Sequence, residues 1–368
     1  MNLRDRYGLT CIINAAGSFT PLGVSRSSAD VAQAAAAALG QFLVIDQLQD
    51  AASVVISRFA GAEAGAVTHC VAAGITLSIA AAMTGTDATR IAALPNASGL
   101  NHRVVMPAGH AVNYGHPIEQ DVRLAGAIPV LAGATEACSM AAIQAALAHP
   151  ATACRLLVSS RLVRGNPIDL RQAVAEAYRR GVPAIIDGAA QDMRVGELIA
   201  TGADLVLVSA HKYLASPTAG LVIGRRQIVE AVRAQHKGIG RGMKPTKEAI
   251  VGVLAAIEER QRLDVPQWRQ AQAQKVSDFV ARANQWGGIE ARCEVDPAGM
   301  PFARVCLKAD AKRARVDARA IVHALKSGTP SIRVMEHRLA EGALVLELVQ
   351  LSENEVQIIL RRLGELLD

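Results

Sequence analysis

Ile185-Ile186-Asp187-Gly188-Ala189-Ala190-Gln191 and, 25 residues on from the aspartate, Ser209-Ala210-His211-Lys212-Tyr213-Leu214 decide how this chain is read. Residues 182–186 and 205–208 are short apolar runs of the kind that form buried parallel strands. Polar residues follow at once, and open α/β sheets place ligands at the C-terminal ends of such strands. An aspartate closing one strand and a lysine just past the next is an arrangement that holds pyridoxal 5'-phosphate (PLP). That cofactor is an electron sink only while its ring nitrogen stays protonated and its aldehyde is tethered as an imine to an amine. Asp187 is the candidate partner of the nitrogen. Lys212 is the candidate amine, its pKa lowered in a partly desolvated pocket beside a cationic ring. Ser209 is placed to donate its hydroxyl to the cofactor phosphate, and His211 belongs to the same cofactor-binding segment. Ala189 is small enough to lie flat under the ring, and Gln191 is a candidate for its phenolic oxygen.

The bulk composition sets the frame. At 368 residues the chain exceeds one typical core, so two domains are expected. Hydrophobic residues make up 51% and charged residues 20%, the balance of a soluble globular protein. The net charge of +6 is spread along the chain, densest at 225–247, and the 3% aromatic content offers little for stacking on bases. No nucleic-acid partner is therefore expected, and phosphate or carboxylate ligands are the natural anions. Cys11, Cys70, Cys138, Cys154, Cys293 and Cys306 show no CxxC spacing and stand in mostly apolar contexts. They read as reduced core thiols of a cytoplasmic protein, and no metal site is expected. Residues 1–6 lack the apolar core of a secretion signal. Residues 64–86 carry no Asp, Glu, Lys or Arg, but Thr68, His69, Gly74, Thr76 and Ser78 interrupt them. A buried helix against a sheet explains that stretch better than a membrane span, which needs about 20 mainly apolar residues.

From about residue 60 to 235 helices alternate with apolar runs at 66–69, 103–106, 128–131, 155–159, 183–187, 205–209 and 219–223. Such alternation predicts an α/β domain with a mostly parallel seven-stranded sheet. We expect an opening segment 1–55 that packs on a partner and on the small domain, a large cofactor domain 56–246, and a smaller α+β domain 247–368. Helices are expected from Ser28 to near Gly40, over 47–59, and over 169–180 with a stop at Gly181. Ser352-Glu353-Asn354-Glu355 is a capping box that opens the last helix.

Three further segments complete the candidate site. A phosphate needs backbone N–H groups at a helix N-terminus, and Ala72-Ala73-Gly74 follows a short strand and opens an alanine-rich helix. His110, after the run ending at Met106, offers a planar ring to stack on the cofactor. Lys237 to Glu248 interleaves glycines with basic side chains but lacks GxGxxG spacing, so it reads as an anion site rather than a dinucleotide loop.

With these residues the chain resembles the fold type I PLP enzymes (aspartate aminotransferase-like). Within them it resembles the family of selenocysteine synthase (L-seryl-tRNA selenium transferase) and D-glucosaminate-6-phosphate ammonia-lyase. The likeness runs through Ile13-Asn14-Ala15-Ala16-Gly17, Asp46-Gln47-Leu48-Gln49, Gly109-His110, Val122-Arg123-Leu124-Ala125-Gly126-Ala127, the Asp187 and Lys212 segments, Ser216-Pro217-Thr218-Ala219-Gly220-Leu221, and Gly242-Met243-Lys244-Pro245-Thr246-Lys247-Glu248. The ammonia-lyase branch is the closer match. The resemblance implies a Schiff base at Lys212, ring-nitrogen pairing at Asp187, stacking at His110, and phosphate contacts from 72–74 and Ser209. It also implies a homodimer or larger assembly with active sites between subunits. Two departures stand out. The phosphate turn reads Thr-His-Cys-Val-Ala-Ala-Gly where relatives favour Ser-Gly-Ala, and the expected tail strand 345–350 lacks an Asp-Pro.

The expected reaction is elimination of ammonia from a β-hydroxy amino acid or amino sugar acid. Lys212 would remove the Cα proton, hydroxide would leave Cβ, and a 2-oxo acid and ammonia would result. Asn14, Arg241, Lys244, Lys247 and Arg333 are the candidates for holding the substrate, the four cations for its anionic groups. A PLP-dependent racemase, aldolase or aminotransferase would share all these residues. An RNA-dependent selenium transferase, or an RNA-binding relative, would need an N-terminal RNA-binding domain that is not expected here.

Overall fold

A computed structural model describes residues 3–367. Met1 and Asn2, on which part of the secretion-signal reading falls, lie outside the described residues. The described strands are β1 (Ile12–Asn14), β2 (Ala64–Thr68), β3 (Arg103–Pro107), β4 (Ile128–Ala132), β5 (Thr152–Val158), β6 (Ala184–Asp187), β7 (Leu205–Ser209), β8 (Gly220–Gly224), β9 (Ile289–Val295), β10 (Ala303–Ala309), β11 (Ser331–Arg333) and β12 (Ala343–Leu346).

The chain separates into two compact units, Ser27–Arg262 and Met1–Arg26 with Leu263–Asp368. The expected boundaries at 55 and 246 fall elsewhere for a packing reason. Helix Lys247–Arg262 buries Ile250, Val253 and Ile257 in the cluster that also takes Val31, Ala52 and Ile56 from helices Ala29–Leu39 and Ile45–Ala60. All three helices therefore belong to the larger unit.

That unit is built on a seven-stranded sheet in the order β2-β8-β7-β6-β5-β3-β4. β4, β3, β5, β6 and β7 are mutually parallel, while β8 runs antiparallel to both β7 and β2. In β7, Leu205 and Leu207 join one core and Val206 and Val208 the other, so the sheet is covered on both faces. Helix Val71–Thr84 lies on one face with 12 of its 14 residues buried, which is why its sequence shows no polar stripe. Each fully buried Ile or Leu on it contributes roughly 1.5–3 kcal/mol by leaving water. No helix among the described residues is long and apolar enough to cross a membrane.

Local signals placed the helix ends. Ser28 accepts the Val31 N–H, Asp169 accepts those of Arg171 and Gln172, and Gly181 leaves the helix direction at φ 65°. Ser352 and Glu355 exchange the two bonds of a capping box.

In the smaller unit an antiparallel sheet, β12-β10-β9, shares a core with helices Val265–Ala283, Ala318–Ser327 and Glu353–Leu367. A separate two-stranded parallel ribbon pairs β1 with β11 and sets Asn14 opposite Arg333. Two expectations are corrected. The tail strand ends at Leu346, beyond which Glu347 turns its carboxylate to Arg304 at 2.8 Å. All six cysteines are free thiols, but Cys293, on the edge strand β9, is exposed.

Candidate active site

The strand directions gather the site. β2, β3, β5, β6 and β7 all end at one edge of the sheet, and β8 begins there. Cys70, His110, Ser159, Asp187, Ser209 and Gly220 are thereby brought to that edge, where open α/β sheets bind ligands.

Asp187 is the last residue of β6 and is buried. Its Oδ1 accepts the Ala189 N–H at 2.9 Å. Burial raises its pKa to about 6, and the Lys212 charge opposes that rise. Gly188 N–H bonds Leu207 and Ser209 N–H bonds Ala189, so the ladder between β6 and β7 continues past the carboxylate and fixes Ala189.

Lys212 sits in the ten-residue connection between β7 and β8, closed by Ser216 N–H to Ala210 and by Ala210 N–H to Ala219, both 3.0 Å. Ala215, at φ 57°, takes the left-handed conformation a non-glycine residue rarely adopts, and so turns the chain back sharply after the lysine. Burial lowers the proton affinity of Lys212, as does the nearby Arg161 cation, while Asp187 and Asp192 oppose the shift. Arg260 pairs with the buried Asp192 at 2.9 Å and donates to the Tyr213 carbonyl at 2.6 Å, clamping the residue next to the lysine.

His110 is buried at the end of a short 3-10 turn after β3. Its Nδ1 accepts the Val158 N–H at 2.8 Å, which places the ring proton on Nε2. Burial and the Arg155 guanidinium push its pKa to about 4, so the ring is neutral at ordinary pH. Arg155 is itself fully buried and donates to the Ala173 carbonyl at 2.5 Å.

The candidate phosphate turn differs in detail from the expected cradle at Ala72, Ala73 and Gly74. Gly74 N–H bonds Cys70 O at 2.9 Å and Ala73 N–H points at Cys70 Sγ at 3.5 Å. The donors left at this helix end are those of Val71 and Ala72. Gly220 makes the close approach possible, because a Cβ there would lie 2.5 Å from the Cys70 carbonyl carbon and 2.7 Å from Val71 N. Ser209 Oγ is 3.2 Å from His211 Nδ1, which orients both side chains next to the turn.

The remaining candidates divide. His69 N–H bonds Met243 O at 3.1 Å and so ties the 237–248 segment, with exposed Arg241 and Lys244, to the phosphate end. Lys247 turns away, donating to the Leu39 carbonyl at 3.1 Å and to that of Gln41, which makes it a cap for helix Ala29–Leu39. Gln191 is buried and its amide oxygen is taken by Arg194 at 3.1 Å. Asn14 and Arg333 belong to the smaller unit. There Asn14 braces its own turn through Gly17 O, and Arg333 Nε bonds Ser331 Oγ.

Sequence patterns do not reveal Asp121, Asp192, Arg161 or Arg260, whose relation to the site exists only after folding. Asp121 is buried and accepts from the Tyr114 hydroxyl, with His116 Nε2 2.9 Å away. Burial raises the pKa of Asp121, and its carboxylate adds to the rise at Asp187.

Taken as a donor set, a buried carboxylate, a desolvated amine, a neutral planar imidazole and a helix N-terminus kept clear by Gly220 fit PLP. When bound, PLP supplies an electron-withdrawing ring that stabilises negative charge at a substrate Cα.

No protein-family model matches the chain. It is 33% identical over 365 residues to D-glucosaminate-6-phosphate ammonia lyase of Salmonella typhimurium, across 99% of this chain and 98% of the relative. It is 32% identical over 366 residues to 5'-C-glycyluridine monooxygenase-decarboxylase of a Streptomyces species, across 99% of this chain and 91% of the relative. The solved structure of a D-glucosaminate-6-phosphate ammonia-lyase superposes with a TM-score of 0.90 at 32% identity, covering 100% of this chain and 98% of the other.

Proposed function

Because the chain belongs to the family of fold type I PLP-dependent enzymes that includes D-glucosaminate-6-phosphate ammonia lyase, we propose that it eliminates ammonia from a β-hydroxy amino acid or an amino sugar acid. The observation that carries this reading is the convergence of Asp187, Lys212 and His110 on one sheet edge in a chain 33% identical to that lyase.

Each residue then has a task. Asp187 keeps a proton on the ring nitrogen, for which a carboxylate already costly to bury gains most from a cationic partner. Lys212 would hold the cofactor through its amine and, with that amine neutral, would accept the substrate Cα proton as a general base. The lowered proton affinity of Lys212 leaves more of its amine neutral for that step. His110 would offer its neutral ring as a stacking surface without adding charge. Val71, Ala72 and Ser209 would hold the cofactor phosphate, and loss of hydroxide from Cβ followed by hydrolysis would give a 2-oxo acid and ammonia. We further read the enzyme as cytoplasmic, and as a homodimer or larger homo-oligomer with sites completed at the subunit interface.

The test is to incubate purified holoenzyme with D-glucosaminate 6-phosphate and a panel of β-hydroxy amino acids and to assay ammonia and 2-oxo acid. We expect both products in equal amounts, their loss in Lys212→Ala, and cofactor mass on Lys212 after borohydride reduction. No 2-oxo acid from any of them overturns the lyase reading. A second outcome is favoured by the 32% identity to the monooxygenase-decarboxylase. Oxygen uptake and carbon dioxide release without ammonia elimination would select it.

A further inference from the structure

The peptide groups beside Lys212 are held only lightly by their own turn. Lys212 N–H meets the Ser209 carbonyl at 3.3 Å and Ala215 N–H meets the Lys212 carbonyl at 3.2 Å, both at the long end for such bonds. A shorter bond reaches the next carbonyl from outside the connection between β7 and β8. Arg260, in the last turn of helix Lys247–Arg262, donates from Nη2 to Tyr213 O at 2.6 Å. From Nη1 the same guanidinium donates to Asp192 Oδ2 at 2.9 Å, and the Asp192 side chain is fully buried. Asp192 Oδ1 has no hydrogen-bond partner among the described residues, so Arg260 is the cation on which that buried charge depends. The helix turn that carries Arg260 is itself fixed, because Ser28 donates to Glu259 Oε2 at 2.6 Å and Ala256 and Ile257 lie in the core.

We infer that Arg260, oriented by Asp192, is a positioning residue for Lys212: it fixes the peptide next to the lysine and so the direction in which the amine is presented. The geometry asks for a guanidinium. Its planar fork donates in two set directions at once, here into a carboxylate and into a carbonyl, and an ammonium has no such fixed plane. With the carboxylate holding that plane, the second donor stays on Tyr213 O. A buried ion pair adds little stability over apolar residues of like volume, so fixing geometry is the fuller account of this one. Misplacing a reacting group by about 1 Å can slow a reaction about 100-fold, which is the margin such a clamp guards. The assignment rests on the reading of Lys212 as the residue that holds the cofactor and accepts the Cα proton.

The test compares holoenzyme of wild type, Arg260→Ala, and the double variant Arg260→Met with Asp192→Asn, which leaves no buried carboxylate unpaired. Hydrogen exchange read by mass spectrometry is expected to speed up by about tenfold or more in peptides covering 210–216 of both variants, with β6 and β7 unchanged. Exchange of the alanine Cα proton for solvent deuterium, followed by NMR, reads the amine without any β leaving group. Its limiting rate should fall by about 10- to 100-fold, while the half-saturating alanine concentration stays within about threefold of wild type. Millimolar methylguanidinium should restore part of that rate in Arg260→Ala, where Asp192 remains to orient it, and none in the double variant. Faster hydrogen exchange spread over the whole sheet overturns the inference, as does a limiting rate within about threefold of wild type in the double variant, or equal rescue of both variants. Failure of the underlying reading would appear separately, in wild type, as borohydride reduction that leaves no cofactor mass on Lys212.

Discussion

Replacing Asp187 by asparagine should stabilise the cofactor-free protein while crippling cofactor capture. The carboxylate is 5% exposed, and burial lifts its pKa from 3.8 to about 6. The sign follows from linkage. Below the unfolded value both states hold the proton and burial of the neutral acid costs nothing. As pH rises toward 6 the unfolded chain releases the proton and the folded one keeps it, so stability falls. Above 6 the full penalty is present, on the order of 3 kcal/mol for a rise from 3.8 to about 6. Asparagine removes that penalty and still accepts the Ala189 N–H. Urea denaturation of cofactor-free wild type and Asp187→Asn should therefore show the variant more stable by about 3 kcal/mol at pH 8, and by about half as much at pH 5. PLP binding at pH 8 should weaken by more than about 100-fold, because a buried cationic ring nitrogen would lack its anion. A variant less stable than wild type at pH 8, or a gain that does not change with pH, would refute the reasoning.

Arg260→Met leaves Asp192 buried without its cation and should cost about 3–5 kcal/mol in urea denaturation; adding Asp192→Asn should recover part of the loss. Gly220→Ala forces a methyl into the Cys70–Val71 backbone, and PLP titration by fluorescence should show affinity down by at least about tenfold with the fold retained. NMR of cofactor-free protein should find His110 neutral, with its proton on Nε2, from pH 5.5 to 9, since its pKa lies near 4. A His110 midpoint near 6.5 would contradict the buried geometry.

The strands were legible because runs such as 205–208 are apolar on both faces, and only a sheet covered by helices asks for that. That Asp187 and Ser209 end strands, with Lys212 just beyond, was legible because the apolar runs stop at these residues. At the candidate phosphate turn the unbonded N–H groups were legible only to within a residue or two, since they depend on where the helix closes its first bond. Arg161, Arg260, Asp192 and Asp121 left no mark in the sequence. Their meaning comes from neighbours that the fold brings together, as Arg260 meeting Asp192 illustrates. The unit boundaries were missed because helix Lys247–Arg262 looks like the start of a new segment until its apolar face is seen against helices Ala29–Leu39 and Ile45–Ala60.

The single reversed strand β8 limits how the lysine can travel. A parallel neighbour would have required a crossover of a dozen or more residues, usually with a helix in it. Here ten residues suffice, and both ends are stitched to the sheet. Such a short span has no slack for a hinge, so movement of the amine between the two duties proposed for it falls to the rotatable bonds of its own side chain. Adding or deleting one residue between 210 and 219 would change the reach of that amine more than a substitution of its neighbours there, and protein engineers should treat the span as a fixed length.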